Sequence, residues 1–290
     1  MQAFDKLWNY NDPAATEIKF RDYLADSNAG LTQSDKLELR SQIARTLGLQ
    51  QKYDEAHLVL DNVEAELNAD FQIATLRYLL ERGRVFNSAG KQIESIPFFL
   101  KAWELGQEFG ADFFAVDAAH MLGIAEASPE QLAWNEKAME LAENSEDSRA
   151  KGWLGSLYNN IGWTQHDLGN YEKALVLFEK GLAWQESNSK VRETQIAKWT
   201  VARTQRSLGN IDLSLKLQLE LEQEILESGS AEDGYVSEEI AECLSLKGQH
   251  KAATPHFFKA WKLLSEDLWL QQNEAERLSR LKELGEHSPE

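Results

Sequence analysis

The chain has 290 residues, 42% hydrophobic and 27% charged, the proportions of an ordinary soluble globular protein with a substantial core. Its 48 acidic and 30 basic residues leave a formal charge of −18, which disfavours nucleic acid and anionic membrane surfaces, since both are bound through clustered cations. Cys243 is the only cysteine, which excludes an intrachain disulfide and a cysteine-based zinc cluster.

The opening stretch, "MQAFDKLWNYNDPAATE", has neither a basic n-region nor an apolar h-region and does not read as a secretory signal. No stretch has the apolar length needed to cross a bilayer, so the expectation is a cytoplasmic protein. Five prolines in the whole chain leave room for long helices. "DPAATEIKFRDYLADSNAG" predicts a single amphipathic helix, with Asp12 as N-cap, Pro13 in first position and Gly30 after its end. Residues 1–34 are accordingly expected to form an N-terminal capping segment.

From there the chain repeats. "PFFLKAW" at Pro97 returns as "PHFFKAW" at Pro255, an offset of 158 residues or four periods of 39.5. At that period small residues fall at Ala44, Gly83, Gly123, Gly162, Ala202 and Ala241. A second series, seven residues later each time, reads Gln51, Gly90, Glu130, Gly169, Gly209 and Gly248. Each unit predicts helix, tight turn, helix: apolar positions recur at helical spacing, and turn glycines supply the left-handed residue that ends a helix. The small residues let two helix backbones approach closely, so leucine at Gly162 is expected to overpack by about 1–3 kcal/mol. The third unit departs from the pattern, with Glu130 and Asn135 at glycine and alanine positions, and "EASPE" predicts an early helix end at Pro129. Residues 35–265 thus hold six units. "DLWLQQNEAERLSRLKELG" predicts one terminal helix covering the last unit's apolar edge, within a capping helix and tail at 266–290 that frays beyond Gly285.

Tyr158, Ile161, Gly162, Gly169, Tyr171, Ala174 and Phe178 resemble the tetratricopeptide repeat, in a version longer than the usual 34 residues. The resemblance implies an all-α, right-handed superhelical solenoid of stacked antiparallel helix pairs, with each first helix lining a concave groove. It also implies that partners lie in that groove. Some family members clamp a C-terminal carboxylate there with lysines and asparagines.

Chemistry is sparse. Phosphate-binding glycine loops are absent, and the six histidines have no metal-ligand spacing. Ser156 and Ser245 lack a nucleophile-elbow context, and Cys243 falls on a core-facing helix position. No enzyme, metal or cofactor is expected.

The face opposite the packing residues carries Ser156, Asn159, Trp163 and His166. The equivalent positions in the other units include Arg45, Arg77, Arg84, His120, Trp199, Arg203 and Arg206, together with Glu38, Asp117, Glu238 and Glu242, and no lysine. Guanidinium is a planar fork suited to carboxylate or phosphate, which makes clamping by lysine doubtful here. Arg45, Arg84, His120, Asn159, Trp163, His166, Trp199, Arg203 and Arg206 are therefore the candidate partner-binding residues, with Trp163 as an exposed anchor. The arginines could instead pair with carboxylates of neighbouring units, and the tryptophans could fill the inside of a tight superhelix. The expected function is a scaffold holding an extended acidic peptide or protein segment, as monomer or dimer. A sensory module for a small ligand and a self-assembling structural unit are the alternatives.

Overall fold

A computed structural model describes residues 2–127, 129–188 and 190–286, and all its regular structure is helical. The expected fraying beyond Gly285 lies, after Glu286, outside these residues. The chain divides into two compact units, Met1–Leu157 and Tyr158–Glu290.

In the first unit the Asp12 carboxylate accepts from the Ala15 amide at 3.0 Å and starts α1 (Pro13–Ala25). The helix does not run on to Gly30 as the sequence predicts. Asp26 takes extended backbone and caps a 3-10 turn, Ser27–Ala29, that ends at Gly30 with φ +63°. Asp, Ser and Asn side chains bond their own backbone and compete with helix in this run. Thr32 and Asp35 form a reciprocal capping box that opens α2 (Gln33–Leu49). Then follow α3 (Tyr53–Glu64), α4 (Gln72–Ser88), α5 (Gln92–Glu108), α6 (Asp112–Ala125), α7 (Glu130–Asn144) and the one-turn α8 (Ser148–Lys151). Consecutive helices pack on one another from α2 to α7, with α2 also on α4. Phe4, Phe20, Leu37, Leu60, Leu76 and Phe99 are fully buried between them.

The helix α9 (Leu154–Asp167) belongs to the second unit from Tyr158 onward. The unit continues with α10 (Tyr171–Ser187), α11 (Val191–Ser207), α12 (Ile211–Glu227), α13 (Gly234–Leu246) and α14 (His250–Leu264). The terminal helix expected as one piece is two. Asp267 caps α15 (Leu268–Asn273), the chain turns at Glu274, and α16 (Ala275–Glu286) packs back on α14.

Both sequence series have a structural cause. Ala44, Gly83, Gly123, Gly162, Ala202 and Ala241 are all buried. A Cβ on Gly162 would stand 2.5 Å from Cε1 of Phe178, and one on Gly83 would stand 2.5 Å from Cε1 of Phe99. The Phe178 ring on α10 is what demands glycine on α9. In the second series Gly90, Gly169, Gly209 and Gly248 have φ between +72° and +82°, and Gln51 adopts +62°. Glu130 breaks the series, because α6 stops at Ala125 and the chain leaves through extended backbone at Glu126. Pro129 is not where α6 ends; it is the N-cap of α7.

Candidate functional site

The second unit holds an open cavity of about 430 Å³ lined by Trp163, Trp199, Arg203, Arg206, Tyr235, Glu238, Glu242 and Arg277. Three alternate helices, α9, α11 and α13, supply its rings. Trp163 on α9 lies 5.8 Å from Trp199 on α11, whose ring meets Tyr235 on α13 edge-on at 5.7 Å. Each ring follows the last by 36 residues, one period less about one helical turn, so the three step back a turn from one unit to the next. Trp163 is not the exposed anchor the sequence suggests. It is half-buried, with Phe178 at 5.1 Å and His166 at 5.1 Å from its ring. The Trp199 indole N–H donates to the Tyr235 carbonyl at 3.2 Å, fixing that ring's orientation.

The arginines reach the cavity already partnered. Arg203 lies over both tryptophans, its guanidinium carbon 5.8 Å from each ring, and its Nη1 donates to Glu239. Arg206 donates twice to the same carboxylate, at 2.6 and 2.9 Å. Burial weakens the charged form of Arg206, but the bonds and charge of Glu239 outweigh it and raise its pKa. Glu239 is almost wholly buried, so two guanidiniums compensate one desolvated carboxylate. Arg277 on α16 lies over Tyr235 and donates to Glu238 and Glu274, and Arg280 donates to Glu242 at 2.5 Å. Four arginines and four glutamates cancel around the cavity, so local donors and ring faces distinguish it more than net charge does.

Trp163, Trp199, Arg203 and Arg206 are thus brought to one cavity. Asn159 and His166 are in the same unit but do not line it. Asn159 donates to the Asn160 side chain at 3.3 Å, while His166 shares a 2.9 Å hydrogen bond with the Ser207 hydroxyl. Burial, then the Arg203 charge, lowers the His166 pKa. Tyr235, Arg277 and Glu239 were missed by sequence reasoning. Extending the period could have found the first two, Tyr235 six residues before Ala241 and Arg277 39 residues after Glu238; Glu239 lies one residue off the assigned face.

Arg45, Arg84 and His120 lie in the first unit. Arg45 lies over Trp8 and Tyr10, at 5.7 and 5.4 Å, and donates to Glu81 at 3.3 Å. Arg84 joins the same Glu81 oxygen at 2.8 Å and also donates to Asp117. His120 packs on Trp153 at 5.0 Å, with a pKa lowered chiefly by burial. Arg45 and Glu81 stand 158 residues before Arg203 and Glu239, the same offset that relates Pro97 to Pro255. Each unit therefore sets a guanidinium over two rings and onto a buried glutamate 36 residues further on.

Among the described residues no cluster of His, Cys, Asp and Glu could hold a metal, and no helix is long and apolar enough to cross a membrane. Cys243 is a buried thiol that donates to the Ser214 hydroxyl, and burial raises its pKa.

Residues 155–188 match the tetratricopeptide repeat family. No curated protein sequence matches the chain. Among solved structures it is similar to the apo form of RapI, with TM-score 0.73 and 11% identity over 91% of this chain and 75% of that one. It is also similar to a signal transduction ATPase with numerous domains, a protein with a tetratricopeptide repeat sensor from Pyrococcus horikoshii. There the TM-score is 0.71 and the identity 16%, over 97% of this chain and 45% of that one. This chain therefore spans less than half of the Pyrococcus protein. Aspartyl phosphate phosphatase F from Bacillus subtilis is similar at TM-score 0.56 and 14% identity, over 89% and 68% of the two chains. At these identities the likeness is one of fold. Residues 155–188 thus carry a tetratricopeptide repeat, and the chain as a whole shares the helical-repeat fold of these structures.

Proposed function

We propose that the chain is a non-catalytic interaction module that holds an extended partner segment in the cavity of its second unit. The observation that carries this reading is the stack of Trp163, Trp199 and Tyr235 with Arg203 laid across the two tryptophans beside an open cavity. A half-exposed aromatic stack offers large contact area at little entropic cost. Arg203 uses only Nη1 on Glu239, so its Nε and Nη2 donors remain for an acidic side chain or a carbonyl of the partner. The balanced charges favour a segment with one carboxylate placed at Arg203 over a uniformly acidic one.

The test is capture of partners from native extract by wild type and by Arg203→Gln, followed by titration of the recovered segment. Arg206 still holds Glu239 through two bonds in that variant, so melting within about 2 °C of wild type is expected. Affinity falls about tenfold or more if Arg203 clamps the segment. Equal affinity of the two proteins removes the cavity from the interaction.

A further inference from the structure

A second cavity, of about 410 Å³, lies wholly within the first unit and has no part in the reading above. The N-terminal residues form part of its wall. The Trp8 and Tyr10 rings stack at 4.6 Å, and the Trp8 indole N–H donates to Gln42 at 3.0 Å. Arg77 holds the segment down, donating to Asp5 at 2.9 Å and to the buried Glu38 at 2.8 Å. Phe113, Phe114 and Trp153 add further aromatic surface.

Three guanidiniums and three carboxylates line this cavity, and each uses only part of its hydrogen-bonding capacity on the protein. Arg45 donates through Nη1 alone. Arg77 and Arg149 use Nε and Nη2 and leave Nη1. Asp5 accepts only at Oδ2, and Asp117 only at Oδ1. Glu81 takes three donors on Oε1, while its Oε2 is shielded from solvent and has no partner. A net positive cavity would take an anion. One with equal numbers of half-used cations and anions suits a ligand carrying both signs, and its flat walls suit a ring. The volume falls in the range of small-molecule sites.

We propose that this cavity binds a free aromatic α-amino acid as its zwitterion. The carboxylate meets the unused donors of Arg45, the ammonium meets Asp5 and Asp117 in the field of Glu81, and the ring lies against the Trp8, Tyr10 and Trp153 surfaces. Neither blocked form presents both charges: an Nα-acetyl derivative lacks the ammonium, and an amide lacks the carboxylate.

The experiment is calorimetric titration of the full chain with L-tryptophan, L-tyrosine, L-phenylalanine, L-leucine, and the Nα-acetyl and amide forms of the three aromatic residues. At least one aromatic amino acid is expected to saturate one site per chain, with leucine and both blocked forms about tenfold weaker or more. Arg45→Gln is expected to weaken binding about tenfold or more, and Lys216→Gln, at an exposed position in the other unit, to leave it unchanged. Trp153→Leu provides a second variant with loss of binding should Arg45→Gln fail to fold. The proposal is overturned if none of the three aromatic amino acids binds up to about 10 mM. Blocked forms that bind equally well overturn it too, as do folded variants of Arg45 and Trp153 that bind like wild type.

Discussion

Glycine to alanine inside a helix ordinarily stabilises it by about 1 kcal/mol, because alanine has less backbone freedom to lose. At Gly162 the opposite is expected. The added Cβ would stand 2.5, 2.8 and 3.0 Å from three ring atoms of Phe178, against a preferred carbon separation of about 3.5–4.0 Å. The ring has little room to retreat, being buried and packed against Trp163 at 5.1 Å. Overpacking of this kind costs about 1–3 kcal/mol, and the confinement of Phe178 places it in the upper half. The net expectation for Gly162→Ala is a loss of roughly 1–2 kcal/mol, a fall of a few degrees in melting temperature. Urea and thermal unfolding, followed by circular dichroism, measure it. The same change in a Phe178→Leu background should be neutral or stabilising, since the clashing atoms are gone. A stabilised single variant, or an equal loss in both backgrounds, would refute the argument.

At the turns, Gln51→Gly relieves a left-handed residue at φ +62° and should raise stability by a few tenths of a kcal/mol, whereas Gly209→Gln should lower it by about 1–2 kcal/mol. Paired melts of the two variants read both signs. Glu239→Ala leaves Arg203 and Arg206 without their shared carboxylate. Breaking a buried pair costs about 3–5 kcal/mol, and the partial solvent access of both arginines reduces this to about 2–3 kcal/mol in urea titrations. A change below about 0.5 kcal/mol would mean water already screens the pair. His120 titrates below its ordinary value of 6.5 because burial disfavours its charged form. The unfolded chain therefore binds its proton first as pH falls. Stability is full above pH 6.5 and declines below it, and His120→Gln should flatten that decline in unfolding curves taken from pH 7.5 to 5.

The helix-turn-helix order was legible because it rests on two local requirements, a side chain too small to block a neighbouring ring and a residue able to take positive φ. Both leave a mark at a fixed period, as Gly162 and Gly169 do. The breaks were less legible. Asp26 and Glu274 interrupt what reads as continuous helix, since local hydrogen bonding and a single dihedral change decide those points. Within the candidate site the sequence put Trp163, Trp199, Arg203 and Arg206 on one face, and the four line one cavity, but their burial and pairing were not legible. Glu239 sits one residue beyond the face assigned to Glu238 and Glu242, yet it is the carboxylate that both arginines take. Trp8 and Tyr10 gave no signal at all, because they belong to no period and act only through contacts with distant helices.

The doubled arrangement of Arg45 on Glu81 and Arg203 on Glu239 separates what the repeat supplies from what each unit adds for itself. The ion pair recurs at one offset along the chain, but the rings beneath the two guanidiniums come from unrelated places, a non-repeating leader in one case and successive repeat helices in the other. On the two proposals above, a shared cationic seat framed by different rings would give one polypeptide two specificities. Exchange of the frame residues alone, with both seats intact, would then be expected to change which ligand each cavity takes.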